Sequence, residues 1–146
     1  MKTKTKITEI EQGDLVDLFS TATYGNNWLS IVYDRTLYRT KYKNDDDCLE
    51  DIWARMLLGG ETIYAVDHYA EDETEKYSRS AVWEDDVMKY PLTLKKVKEG
   101  LQKALDSDSE WVRESVTNLI NSSTDFDLTQ ADALMQMIMF GEVVYG

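Results

Sequence analysis

Cysteine, histidine and proline each occur once in these 146 residues. A lone cysteine, Cys48, closes no internal disulfide and suits a reducing cytosol. Cys48 and the single histidine, His68, are too few ligands for a zinc site. One histidine also leaves any Ser/His or Cys/His nucleophile system a single candidate base. No apolar run approaches the roughly 20 residues of a membrane span. The basic start (Lys2, Lys4, Lys6) leads into no apolar signal core, so a cytoplasmic protein is expected. Positive charge is scarce: 16 Lys/Arg stand against 28 Asp/Glu, a net of −12. With a pI near 4.4, that balance argues against binding nucleic acid or an anionic membrane, both of which draw on clustered Lys and Arg.

Phosphate and metal motifs are missing too. Gly59 and Gly60 follow a helical pattern where a phosphate loop would open one. The spacing Asp106-x-Asp108-x-Glu110 resembles the first half of a calcium loop, but Trp111 stands where the turn glycine belongs and Thr117 where the closing glutamate belongs. The cluster reads as helix capping. No catalytic residue, metal or cofactor is expected.

What is present is enough to fold. The chain is 42% hydrophobic, with four Trp and nine Tyr, and its length suits a single domain, 1–146, with residues 1–7 as a flexible basic arm. Thr8 and Glu11 have capping-box spacing before a helix reaching about Ala22. Trp28 to Asp34 alternates as a strand, and Thr36–Lys43 is β-prone enough to predict a second, solvent-facing one. Asp45–Asp47 predicts a helix start, with Cys48, Leu49, Ile52, Trp53, Met56 and Leu57 on its apolar face and Gly59-Gly60 as its stop. On that face Cys48 is expected to be buried. Glu61–Tyr69 and Lys76–Trp83 predict a hairpin with 70–75 as its tip. Glu84–Asp86 is a second tip before Val87–Leu92, and Glu142–Gly146 offers a short terminal strand.

Thr93, the Ser107/Glu110 pair, and Asp127 or Thr129 announce three C-terminal helices. In the last of these, Ala131, Leu134, Met135, Ile138 and Met139 are the expected core. Its methionines (Met135, Met137, Met139) are core candidates and, as the alternative, a homodimer surface. The expected class is α+β: an antiparallel sheet of about four to five strands packed with about five helices.

Charge is unevenly spread. Residues 45–86 hold fourteen Asp/Glu against three Lys/Arg, a net of −11, and the remaining 104 residues hold a net of −1. The candidate partner-binding residues are therefore Asp45, Asp46, Asp47, Glu50, Asp51, Glu71, Asp72, Glu73, Glu75, Glu84, Asp85 and Asp86. A solvated surface explains such a block equally simply. A second candidate site joins the rings of Tyr24, Trp28 and Tyr64 to the cations Arg35, Arg39 and Arg55, as a pocket for a nucleotide. Core packing is the competing account of those rings. His68, between Asp67 and Tyr69, is expected to be structural.

Three segments carry a likeness. These are Tyr24-Gly25-Asn26-Asn27-Trp28; Gly59 to Tyr64 with Tyr90 to Gly100; and the closing phrase Ala131 to Gly146. Together they resemble a group of small acidic proteins carried by phages, prophages and conjugative elements of gut bacteria. That likeness implies accessory cargo of a mobile element, where host-takeover and counter-defence proteins are common. The leading expectation is a non-enzymatic inhibitor in the cytoplasm of a bacterial host. It would occupy the basic nucleic-acid channel of a defence protein, a CRISPR effector or restriction nuclease, by mimicking DNA with an acidic surface. The alternative is a binder that sequesters a nucleotide immune signal.

Overall fold

The computed structural model describes residues 6–24, 28–69, 82–84 and 87–145, with the side chains of 82–84, 87 and 88 excepted. The fold is α+β, with six α-helices and an antiparallel sheet among the described residues. Helix α1 (Gln12–Thr23) leads to strand β1 (Leu29–Val32), then to a short α2 (Arg35–Leu37) that runs on as a π-helical turn, Tyr38–Tyr42. Helix α3 (Leu49–Leu58) precedes β2 (Ile63–Asp67), β3 (Val82–Glu84) and β4 (Val87–Leu92). Helices α4 (Leu94–Leu105), α5 (Glu110–Ile120) and α6 (Leu128–Phe140) follow.

The strands lie in the order β1-β2-β4-β3. Registers Ile31↔Ala65, Ala65↔Tyr90 and Ile63↔Leu92 bring Leu29, Ile31, Ile63, Ala65, Tyr90 and Leu92 to one face, and all six are buried. Ser30, Val32 and Tyr64 fall on the other face by the two-residue period, where Val32 and Tyr64 are exposed. Helices cover the buried face: Phe140 of α6 meets Tyr90 edge-on, with centroids 5.1 Å apart.

Three expectations need correction. Thr36–Lys43 is helical as far as Tyr42, which removes one strand. The Asp34 carboxylate accepts from Leu37 N–H at 3.0 Å, and Thr40 Oγ1 donates back to the Thr36 carbonyl at 3.0 Å. Tyr38 and Tyr42 then reach α3 and its surroundings, so tertiary contacts override β propensity. Second, β2 pairs with β4, and β3 joins only the far side of β4. β2 and β3 are therefore not neighbours, and the expected tip 70–75, with residues 76–81 of the expected return strand, lies outside the described residues. Third, the residues after α6 form no strand among those described. The strands expected at Thr36–Lys43 and Glu142–Gly146 are thus missing among the described residues, where β1 to β4 make up the sheet.

Helix ends shift by a few residues. Glu11 caps α1, with its own N–H donating to Asp14 Oδ2 at 3.2 Å, so the box sits one turn later than Thr8/Glu11. Ser109 caps α5, accepting from Val112 N–H at 3.3 Å. Thr93 and Asp127 cap α4 and α6, accepting from Lys96 and Gln130 N–H at 3.1 and 2.9 Å. Residue 7 is not part of a free arm: Ile7 is buried and its N–H donates to Gln102 Oε1 at 2.7 Å.

Helix α6 is buried on almost every side, from Gln130 and Ala131 through Ala133–Phe140. Met135, Met137 and Met139 belong to the core. Helices α1, α4 and α5 all pack on α6. Helices α4 and α6 approach tightly at Gly100, where an added Cβ would overlap the Ile138 backbone. Among the described residues no helix is long and apolar enough to cross a membrane.

Gly100→Ala is expected to destabilise by about 1–3 kcal/mol, because two of the three nearest obstructing atoms are Ile138 main chain and cannot rotate away. Gly13→Ala in α1 meets open space and should stabilise by about 0.5–1 kcal/mol through reduced chain entropy. Urea denaturation of the two variants checks both signs.

Candidate functional site

Asp45–Asp47 do not open α3. Asn44 makes a tight turn there, its Oδ1 accepting from Asp46 N–H at 3.2 Å and its carbonyl from Asp47 N–H at 3.1 Å. The helix starts at Leu49, with Cys48 as its cap residue and Cys48 N–H donating to Asp51 Oδ2 at 3.3 Å. Cys48 is exposed, which corrects its expected burial: it stands outside the helix, and Leu49 after it is exposed too, so the buried face begins only at Ile52.

The described acids of the block have divided roles. Asp45 and Asp46 are exposed, with Lys43 Nζ 4.0 Å from Asp45. Asp47 is turned inward: its carboxylate pairs with the Arg55 guanidinium and accepts from Tyr38 Oη at 3.0 Å. Glu50 is half-exposed and accepts from Tyr24 Oη at 3.0 Å, while Asp51 serves its own helix. Glu61 accepts from Tyr42 Oη at 2.9 Å, with Lys41 Nζ 3.6 Å away. Glu71, Asp72, Glu73, Glu75, Asp85 and Asp86 lie outside the described residues, as does the Glu84 side chain.

Tyr24, Trp28 and Tyr64 have separate surroundings. Tyr24 is tied to α3 through Glu50, and Tyr64 lies on the outer face of the sheet. Trp28 is buried against Phe140 and Tyr145, at centroid distances of 6.2 and 5.2 Å. Arg35 and Arg39 are exposed on α2 and its π-helical turn, and Arg55 is committed to Asp47 and the Tyr42 carbonyl. The structure does not gather these six residues round one cavity.

Sequence reasoning missed a cluster that the fold builds from the ends of β2 and α6. Asp67 is 1% exposed and accepts from Tyr145 Oη at 2.6 Å and Tyr69 N–H at 2.9 Å. Buried Gln136 accepts from Val144 and Tyr145 N–H, both at 2.7 Å. Its amide donates to Asp132 at 3.1 Å and to the Tyr145 carbonyl at 3.2 Å. The Tyr145 ring meets Trp28, Tyr69 and Phe140 edge-on. The segment after α6 is thereby latched across the molecule. The signal in the sequence was a glutamine in the middle of an apolar helix, eight residues before an apolar-aromatic tail.

Burial raises the Asp132 carboxyl pKa, offset in part by the Gln136 amide and the nearby Trp28 indole. The Trp28 N–H is itself buried without regular hydrogen-bond geometry. His68 lies in the turn after β2, exposed, with Nε2 2.8 Å from Ser30 Oγ. It is thus placed in a turn where a strand position was expected. No group of three or more His, Cys, Asp or Glu among the described residues has the geometry to hold a metal ion.

Two open grooves flank α4. One, of about 910 Å³, runs between Lys6-Ile7 and the α4 face bearing Leu94, Lys98 and Gln102. The other, of about 690 Å³, lies between the start of α5 and the end of α6. Comparison with protein-family models, curated proteins and solved structures returns no match.

The tyrosine ties carry a pH dependence. The Tyr24 pKa is raised chiefly by its bond to Glu50, while Tyr38 and Tyr42 are raised first by desolvation and then by Asp47 and Glu61. Their folded values lie above the ordinary tyrosine value of 10.0, so their contribution is full below that pH and lost as pH rises through the folded values. Replacing all three by Phe should flatten the alkaline fall in stability, read as urea midpoints on either side of about pH 10.

Asp132 works at the other end of the scale. Its folded pKa lies above 3.8, so relative stability is gained below that value and lost as pH rises through the folded one. Asp132→Asn is expected to stabilise at neutral pH, with the gain shrinking on acidification. Thermal midpoints across that range are the measurement.

Proposed function

We propose that the protein is a non-enzymatic inhibitor that binds a basic bacterial defence protein, such as a CRISPR effector or restriction nuclease, through a carboxylate-rich, nucleic-acid-mimicking surface. The observation that carries this reading is the net charge of −11 in residues 45–86 against −1 in the other 104. Exposed Asp45 and Asp46 fit it, and the bond from Tyr24 fixes a third carboxylate, that of half-exposed Glu50. Carboxylates on a folded scaffold present a field like that of phosphates, and a channel built for phosphate attracts either.

The described acids also sharpen the reading. Asp47, Asp51, Glu61 and Asp67 hold the fold together. Recognition therefore falls to Asp45, Asp46 and Glu50, together with the acids of 71–75 and 84–86. A channel that grips phosphates has its strongest field at close range, so a few well-placed carboxylates serve better than a diffuse excess.

The test is cleavage by candidate defence nucleases with and without the protein, together with association rates at several salt concentrations. Association should be fast and should weaken steeply with salt. The triple variant Asp72→Lys, Glu73→Lys, Glu75→Lys should keep the wild-type circular dichroism and lose inhibition. Survival of inhibition in that variant would reduce the acid block to a solvated surface.

A further inference from the structure

The groove between α5 and α6 contains the one described tryptophan that is not in the core. Trp111 is 41% exposed, against 3% for Trp28 and 5% for Trp53. It shares the groove with Val112, Met137 and Val143, and Val143 is itself 43% exposed. An exposed indole beside apolar neighbours is an uncommon surface for a strongly charged protein, and tryptophan is over-represented among residues that dominate binding energy.

The charges on the rim select the occupant. Lys103, Asp106 and Glu142 line the groove. The Lys103 ammonium lies over Gly141, 3.1 Å from where a Cβ would stand, at the C-terminus of α6. There it faces the negative end of the helix dipole, which offsets its charge. Asp106 and Glu142 are exposed carboxylates, Asp106 accepting from the Gln102 amide at 3.1 Å through one oxygen, and Asp108 on the α4–α5 connection and Glu110 at the start of α5 are exposed as well. An aromatic face with carboxylates around it suits a flat cation: a guanidinium stacks on indole while its edge N–H groups bond carboxylates.

We propose that this groove docks an arginine side chain of a basic polypeptide, with Trp111 as the stacking surface and Asp106 and Glu142 as its counter-charges. The proposal rests on reading the protein as a binder of basic partners and adds an anchor outside residues 45–86. A groove of about 690 Å³ accommodates one long side chain with its flanking backbone. Lysine, a compact and strongly hydrated charge, gains less there than arginine.

The experiment titrates the full chain with an arginine nonapeptide and a lysine nonapeptide, following tryptophan fluorescence and heat at about 0.15 M salt. Wild-type protein should bind the arginine peptide more tightly, and Trp111→Ala should weaken that binding about tenfold or more. The lysine peptide should be nearly indifferent to that change. Asp106→Asn with Glu142→Gln, two surface changes that leave the core untouched, should weaken arginine binding with the indole in place. Wild-type affinity in Trp111→Ala, or equal losses for both peptides, would overturn the arginine site. The Asp72→Lys, Glu73→Lys, Glu75→Lys variant separates the two ideas. If it abolishes binding while Trp111→Ala does not, the groove is wrong and the acid block stands. If it binds as wild type while Trp111→Ala fails, the groove stands and the acid block does not.

Discussion

A helix enclosed on almost every side constrains everything packed against it. Helix α6 is such an element, and two of its buried residues are glutamines, Gln130 and Gln136. An amide taken from water without new partners costs several kilocalories, of the order of 2–7 kcal/mol. Gln130 receives the Asn118 amide of α5 at 3.2 Å, and Gln136 bonds both its own helix, at Asp132, and the chain beyond it. Satisfying the central helix therefore dictates where the following segment lies. That segment in turn carries the Tyr145 hydroxyl to Asp67 at the end of β2, so helix layer and sheet are joined through one amide.

A chain with a net charge of −12 has few cations to spend on its own acids. Four tyrosines supply neutral donors instead: Tyr24 to Glu50, Tyr38 to Asp47, Tyr42 to Glu61 and Tyr145 to Asp67. Each bond ties a helix, turn or strand to a neighbouring part of the chain, and none adds positive charge that would cancel the excess. Ion pairs such as Lys43–Asp45 and Lys95–Glu99 are largely exposed and contribute at most about 1 kcal/mol. Arg55–Asp47 differs in being half-enclosed and shared with the Tyr42 carbonyl, which anchors the π-helical turn against α3. Internal cohesion and an acidic exterior are thus reconciled by the choice of donor.

Local chemistry was legible and long-range pairing was not. Gly59-Gly60 ends α3, with Gly60 at a positive φ, and Gly141 ends α6 in the same left-handed region, as their placement after apolar helical runs implied. Ala131, Leu134, Met135, Ile138 and Met139 are all buried, as periodicity required. Periodicity was silent on the rest of α6, because an apolar helix with neighbours all round has no polar face to break the pattern. The β-rich composition of Thr36–Lys43 misled because tyrosine favours strands only when a sheet edge is there to receive it. The choice of β4 over β3 as partner of β2 depends on register across the whole sheet, which no short window contains. Of the candidate recognition residues, Asp45 and Asp46 emerge exposed, whereas Asp47 is turned inward by a partner, Arg55, eight positions away.

The packing of α1 on α6 has a consequence for how the protein is made. These helices meet across about a hundred residues of intervening chain, and contacts of such separation form late. While the ribosome extends the chain, the apolar sides of α1 and α3 can cover each other, but the surfaces meant for α6 stay open until α6 itself has emerged. Such surfaces are prone to aggregation during that interval. A dense negative charge carried early in the chain, by mutual repulsion between nascent copies, keeps them apart until the last helix closes the core.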